Sequence, residues 1–226
     1  MSSSLIWMIM IAVMVGSMLI QGMLQRRFEK YSEVPTSLTG AEVASRMLQA
    51  HGIRDVKIVS IPGKLTDHYD PTTKTVNLSE NVYYGRSVAA AAVAAHECGH
   101  VVQHATGYAW LTMRSALVPV VSFSNNIVSW VLLAGVLLIN IFPSLIWIGI
   151  GLFALTTLFS FVTLPVEINA SARAVKWLER DGIVSYETKP MAVDALRWAA
   201  YTYVIAAIGS LATLLYYISI AQGRRR

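Results

Sequence analysis

The sequence predicts a membrane protein built mainly of α-helices, with four transmembrane helices and a small α+β segment between the first two. Hydrophobic residues make up 55% of the 226 residues and charged residues only 14%, which is unlike an ordinary soluble domain. The apolar residues are concentrated in runs about as long as the ~20 residues that a helix needs to cross a bilayer. The stretch after the first run is polar and contains strand and turn signals.

The first apolar run, residues 5–24, is predicted to be a transmembrane helix and not a cleaved signal peptide. Arg26, Arg27 and Lys30 follow the run directly and no basic residue precedes it, whereas a signal peptide carries its basic residues first. The positive-inside rule then keeps the N-terminus outside. We therefore expect residues 25–115 on the cytoplasmic side of the membrane.

The polar segment that follows is predicted to be a mixed α+β unit. Thr39 and Glu42 have the spacing of a capping box that opens a short helix. Residues 56–61 are predicted to form a strand, and residues 65–69 and 74–78 a β-hairpin. These elements would lead directly into the next helix of the chain.

Three later apolar runs complete the predicted set of transmembrane helices. Residues 116–141 and 144–164 form the second and third, and residues 201–221 form the fourth. The charge-balanced segment 165–200 is expected to be helical outside the bilayer. This arrangement places the C-terminus outside, although the arginines at 224–226 favour the cytoplasmic side.

The net charge of +5 does not indicate a nucleic-acid partner, because the basic residues lie mainly in loops beside apolar runs. That distribution is typical of membrane proteins, so we expect a lipid bilayer as partner and no nucleic acid. A homo-oligomer or a membrane partner stays open. The single cysteine, Cys98, excludes an intrachain disulfide.

Residues 87–106 are predicted to form a helix that carries a metal site. The alanine-rich sequence favours helix, and Ser87 is a suitable N-cap. His96 and His100 lie four residues apart and therefore share one face, where two imidazoles can bind one Zn²⁺. Glu97 is placed to act as a general base on water.

A catalytic zinc site needs a third protein ligand, and two residues are candidates. His104 lies ~6 Å farther along a straight helix than His100, so we expect it to be structural or to line the cleft. Glu167 follows Pro165, which we expect in the first turn of a new helix after the third span. We predict one zinc ion per chain, bound by His96, His100 and Glu167.

The hairpin supplies candidate contacts to a substrate. His68 and Tyr69 are candidates for stabilising a developing oxyanion. Strand 74–78 is expected to be a sheet edge that pairs with a peptide, with a plain structural hairpin as the open alternative. The residues expected to carry this pairing are Val76, Asn77 and Leu78.

Several stretches of the chain resemble the YugP-like neutral zinc metallopeptidases of bacterial membranes. They are LTDHYDP at 65–71, VNLS at 76–79, AAHECGH at 94–100, GY at 107–108 and EINAS at 167–171. The resemblance covers most of the chain. It implies a zincin-like catalytic domain in a multi-pass protein of the bacterial cytoplasmic membrane, with His96 and His100 as ligands and Glu97 as catalytic base.

A more distant similarity concerns the region of the third ligand. Glu167 with Ala170 is similar to the E-x-x-A-D element of the HtpX-like and CAAX-prenyl-protease-like gluzincins. Ser171 stands where that element has an aspartate, which in those enzymes orients a ligand histidine. We expect Asn169 or Ser171 to take this role more weakly.

Together these features predict a zinc metalloendopeptidase that hydrolyses peptides or membrane proteins, with zinc-activated water and Glu97 as base. One alternative is a site-2-type intramembrane protease with Asp181 as acidic ligand, but the apolar run before His96 is too short for a span. The other is a non-catalytic membrane scaffold with a structural zinc, which normally requires a fourth protein ligand.

Overall fold

The computed structural model describes residues 3–223, with side chains from residue 7, and it is mainly helical. The arginines at 224–226, used above to argue the side of the C-terminus, lie outside the described residues. The strands are β1 (Lys57–Ile61), β2 (His68–Asp70) and β3 (Thr75–Ser79). The helices are α1 (Ser3–Ser32), α2 (Gly40–Ala50), α3 (Glu80–Tyr83), α4 (Val88–Ala105), α5 (Ala109–Leu137), α6 (Pro143–Arg180) and α7 (Lys189–Gly223).

Four helices within the described residues are long and apolar enough to cross a membrane, which confirms the predicted number. They are α1, α5, α6 and α7. Each helix is longer than the apolar run that predicted it. The runs mark the part that is apolar enough for a bilayer, whereas the backbone stays helical well into the polar sequence.

The predicted helix start at Pro165 is wrong, because α6 continues through this residue from Pro143 to Arg180. Proline removes one backbone donor, which breaks many helices in soluble proteins, but long apolar helices tolerate it where nearby groups satisfy the freed carbonyl. The actual connection lies near Gly182, whose φ of +68° suits glycine. Segment 165–200 therefore contains the end of α6 and the start of α7.

The chain divides into two compact units. The first contains the apolar parts of α1, α5, α6 and α7, and its helices pack closely: a Cβ on Gly135 would lie 2.7 Å from Ile146 Cα. Polar side chains in it bond between helices, with Thr156 Oγ1 donating to Asn125 Oδ1 at 2.8 Å. The second unit comprises residues 20–111 and 165–201 and contains the sheet and α4.

The sheet of the second unit has the order β1-β3-β2. Strand β3 pairs parallel with β1 and antiparallel with β2, so the predicted hairpin is present as β2 and β3. Asp70 closes its turn by accepting a bond from Thr72 N at 2.8 Å.

The central position of β3 contradicts the prediction that this strand is a sheet edge. Val76 and Asn77 pair with both neighbouring strands, and Leu78 pairs with β1, so β3 does not offer a peptide the free edge that was predicted. Val76 and Leu78 are fully buried in the core. The turn and strand signals in the sequence predict the hairpin of β2 and β3. They do not predict that β1, which precedes this hairpin, pairs along the other side of β3.

Helix α4 lies at the centre of the second unit, and most of its residues are buried. Ser87 caps it as predicted, accepting a bond from Ala90 N at 3.2 Å. The capping box of α2 is also present, with Glu42 N donating to Thr39 Oγ1 at 3.1 Å. Because α4 is made largely of alanine, neighbouring elements approach its backbone closely, and this fixes the position of the side chains described next.

Candidate metal centre

His96, His100 and Glu167 form a cluster whose ligand atoms lie within 4.8 Å of one another. Glu167 Oε2 is 3.3 Å from His96 Nε2 and 3.6 Å from His100 Nε2. The Glu167 side chain is only 3% exposed, and those of the two histidines are 13% and 10% exposed. The structure therefore brings together the three residues that the sequence predicted as ligands.

A close helix contact places Glu167 beside the two histidines. A Cβ added to Gly99 on α4 would lie 2.7 Å from the backbone oxygen of Ala170 and 3.1 Å from its Cα. Only glycine leaves room for this approach without a shift. Ala170 lies three residues after Glu167, so the contact sets the height and rotation of the α6 turn that carries the carboxylate.

The donor set and its spacing fit Zn²⁺. Two ligand atoms about 2.0–2.1 Å from a tetrahedral zinc lie roughly 3.3–3.4 Å apart, close to both carboxylate–imidazole distances. Two imidazoles and one carboxylate form the protein ligand set of many catalytic zinc sites. No fourth His, Cys, Asp or Glu joins the cluster within residues 7–223, so one coordination position would be left for water or substrate.

His96 and His100 are held on their other ring nitrogens by different groups. Ser171 Oγ lies 3.1 Å from His96 Nδ1, so the serine occupies the place that the sequence predicted for it. Gln103 Oε1 lies 3.0 Å from His100 Nδ1. Asn169, the other predicted orienting residue, contacts Gln103 and neither histidine.

Glu97 directly follows His96 on α4, and its negative charge acts on His100. The residue is 8% exposed, and no hydrogen bond or ion pair engages its side chain within residues 7–223. A largely buried carboxylate without a partner is costly, and it is a suitable group to accept a proton from a water molecule at the cluster.

The surroundings of His100 favour positive charge. Burial lowers the pKa of His100, but the Glu167 carboxylate and the charge of Glu97 raise it more, so the net shift is upward. Two carboxylates around two imidazoles thus create a negative environment that a divalent cation would neutralise.

Comparison with known proteins decides the family. A family model described as "Putative neutral zinc metallopeptidase" matches residues 6–222. The chain is also 43% identical over 212 residues to the "Putative membrane protease YugP" of Bacillus subtilis strain 168, covering 93% of each chain. The chain belongs to this family. No solved structure matches it.

Membership in this family supports a membrane protease that uses zinc. The cluster of His96, His100 and Glu167 is the group of residues in the described chain with the donor types and spacing for such an ion.

The predicted substrate residues His68 and Tyr69 lie on the edge strand β2 and are engaged locally. Tyr69 Oη is 2.9 Å from His104 Nδ1, which gives His104 a partner outside the metal cluster. His68 Nδ1 is 2.8 Å from the backbone oxygen of Thr66, and its Nε2 is 3.2 Å from Asn77 Nδ2. The roles of His68 and Tyr69 toward a substrate stay predictions.

Cys98 and Asp181 belong to the structural framework. Burial raises the pKa of the Cys98 thiol far above its usual range, and the side chain packs against Ala44, so this thiol is not a nucleophile. Asp181 lies outside the cluster and pairs with Arg46 at 2.6 Å. The ion pair gives the Asp181 carboxylate a cationic partner away from the cluster.

Sequence reasoning did not find Gln103, although the residue was visible as a polar side chain in an alanine- and valine-rich helix. Gln103 is fully buried. It lies three residues after His100 and therefore on the same side of α4. A buried amide always requires partners, and that requirement was the available signal.

Proposed function

We propose that this family member is a zinc metalloendopeptidase of the HExxH gluzincin type, with one zinc ion per chain. The observation that carries the proposal is the buried cluster of His96, His100 and Glu167, together with the Glu97 carboxylate on the same helix, which has no bonding partner among residues 7–223. Three protein ligands with an open position distinguish catalytic from structural zinc sites.

His96, His100 and Glu167 would hold the ion, which when bound supplies a Lewis acid that polarises the scissile carbonyl and lowers the pKa of water towards ~7. Glu97 takes the proton from the attacking water as the new carbon–oxygen bond forms. Glu97 then delivers this proton to the amine as the carbon–nitrogen bond breaks. The products are a carboxylic acid and an amine, and Glu97 returns to its starting state.

The peptide would bind along β2, the strand at the edge of the sheet next to β3. A peptide added to a sheet edge is held by backbone hydrogen bonds, so little sequence is demanded of it. Tyr69 on β2 is tied to α4 through His104, and we propose that Tyr69 or His68 contributes a donor to the developing oxyanion.

The substrates we propose are peptides or exposed segments of membrane proteins at the cytoplasmic face of a bacterial cytoplasmic membrane. Four helices that are long and apolar enough to cross a bilayer support a location at the membrane. Arg26, Arg27 and Lys30 directly follow the apolar part of α1, and the positive-inside rule places this end, with the segment after it, in the cytoplasm.

Two alternatives are less favoured by specific observations. An intramembrane site-2-type enzyme with Asp181 as ligand conflicts with the Arg46 partner of that carboxylate. A scaffold with structural zinc would need a closed ligand set, whereas the cluster within residues 7–223 has three members.

The test compares wild type with Glu97→Gln, both purified in detergent at full length. We expect wild type to bind one zinc ion and to cleave a mixture of unstructured peptides. The variant should keep its zinc and lose about 10²-fold or more in rate. Equal cleavage by both proteins would reject the base assignment, and a wild type that binds no zinc would reject the proposed function.

A further inference from the structure

Gln103 uses both ends of its side-chain amide in the interior of the second unit. Its Oε1 lies 3.0 Å from His100 Nδ1. Its Nε2 donates to the backbone oxygen of Val166 at 2.8 Å and to Asn169 Oδ1 at 3.0 Å. Gln103 is fully buried, so water does not compete for these bonds.

The hydrogen-bonding capacities of these groups fix the direction of each bond. The backbone oxygen of Val166 can only accept, so the group of Gln103 facing it must be the NH₂. The opposite end is then the carbonyl oxygen, which also can only accept. His100 must therefore carry a proton on Nδ1, so Nε2, on the side of Glu167, is the nitrogen that can bind a metal once it is unprotonated.

Arg173 fixes the far end of this chain of bonds. Its Nε donates to Asn169 Oδ1 at 2.7 Å, and because arginine has no acceptor the Asn169 oxygen must face both Arg173 and Gln103. The guanidinium also lies 6.0 Å from the centre of the Tyr108 ring, a cation–π distance. Neither amide can turn over without losing bonds.

We propose that Gln103 is the positioning residue of His100, with Asn169 and Arg173 as its support. Gln103 acts through the histidine and does not touch the substrate. It selects the imidazole tautomer that binds a metal through Nε2 and prevents the ring from rotating away. This inference rests on the proposed function only in requiring that the cluster bind a divalent cation.

The partner of His96 does not select one imidazole tautomer as Gln103 does for His100. Ser171 presents a hydroxyl 3.1 Å from Nδ1, and a hydroxyl either donates or accepts. It therefore permits both tautomers, whereas the Gln103 amide permits one. His100 is the preorganised ligand of the pair, and His96 adapts when the ion enters.

The experiment measures Zn²⁺ affinity by competition with a chelator, using full-length protein in detergent. The variants are Gln103→Leu, which removes both amide functions, and Gln103→Glu, which keeps an acceptor for His100 Nδ1. The control is Val101→Ala. Val101 is buried on the same helix, and its apolar side chain cannot form a hydrogen bond to either histidine. Thermal unfolding of the zinc-free proteins measures how far each change alters the fold.

We expect Gln103→Leu to weaken Zn²⁺ binding by about 10- to 100-fold, the usual effect of removing a group that orients a metal ligand. Gln103→Glu should stay closer to wild type, and Val101→Ala should bind like wild type. The visible spectrum of bound Co²⁺ should change in Gln103→Leu and not in the control, because it reports ligand geometry.

Equal affinity of Gln103→Leu and wild type would overturn the positioning role, as would an equal loss in Gln103→Leu and Val101→Ala. An equal loss in the leucine and glutamate variants would also overturn it, since the acceptor would then be irrelevant. A wild type that binds Zn²⁺ but cleaves no peptide would reject the proposed function alone.

Discussion

Helix α4 and the turn of α6 around Glu167 build the same cluster by different means. On α4, the two histidines and Glu97 come from five consecutive positions, and the geometry of one helical turn sets their spacing. On α6, Glu167 comes 71 residues after His96. Its position depends on the contact of Gly99 with Ala170.

The α4 part of the cluster thus depends on local helix geometry, and the Glu167 part depends on tertiary packing between two helices. The α4 residues would keep their mutual spacing in any helix, whereas Glu167 is a ligand only while two helices approach to a distance that admits no Cβ on Gly99. The site should therefore be more sensitive to changes that separate the helices than to changes along α4 that preserve its backbone.

The largest expected effect is removal of a ligand from either side. His100→Ala and Glu167→Ala should each weaken Zn²⁺ binding by more than about 100-fold, because each leaves only two protein ligands. Chelator competition on the purified proteins measures this. Asp181→Asn is the control and should bind normally, since Asp181 pairs with Arg46; loss of zinc only in that control would favour the site-2-type arrangement.

The second-largest effect is expected from a substitution that pushes α4 and α6 apart but leaves all three ligands in place. Gly99→Ala should lower stability by about 1–3 kcal/mol through overpacking. It should also weaken Zn²⁺ binding by roughly 10-fold, as expected when a ligand loses its support. Thermal unfolding and chelator competition measure the two quantities.

The matched control for this change is Gly22→Ala on α1, where an added Cβ meets no atom within 4 Å. An alanine in an open helical position should be neutral or stabilising. If Gly99→Ala also behaves in this way, the close contact does not determine the position of Glu167.

At Ser171, on the α6 side, the expected effect is confined to affinity, without the loss of stability expected for Gly99→Ala. Ser171→Ala should reduce Zn²⁺ affinity by about 10-fold, because His96 Nδ1 loses its partner at 3.1 Å. Ser171→Asp should bind more tightly than wild type, since a carboxylate accepts from Nδ1–H and increases the basicity of the ligand. Chelator competition should rank aspartate above serine and serine above alanine; the reverse order would remove Ser171 from the account.

The smallest effect is expected outside the cluster. Thr39→Ala removes the cap of α2 and should cost about 1 kcal/mol of stability, with no change in Zn²⁺ affinity. Thermal unfolding and chelator competition distinguish the two. A parallel loss of affinity would show that general stability, and not the specific contacts of α4 and α6, determines metal binding.

The same division between local and tertiary construction explains what the sequence could predict. The capping box of α2, the hairpin and the HExxH helix are local patterns, and each is found close to its predicted position. The place of β3 at the centre of the sheet depends on β1, which is distant in sequence, and no local pattern carries that information.

Two features of the site show the same limit. The sequence predicts Pro165 in the first turn of a new helix, because proline suits that position, but α6 passes through it. The sequence around Gln103 does not indicate that its partners are Val166 and Asn169, more than sixty residues later. Glu167 is predictable because a two-ligand motif requires a third ligand.

The separation of 71 residues between His96 and Glu167 also couples metal binding to folding. An unfolded chain keeps the two histidines near each other but rarely brings the carboxylate to them, so the ion binds the native state preferentially. Each tenfold rise of free Zn²⁺ above the dissociation constant should then add about 1.4 kcal/mol to the free energy of unfolding. The melting temperature of this protein would therefore record how much free zinc is available to it.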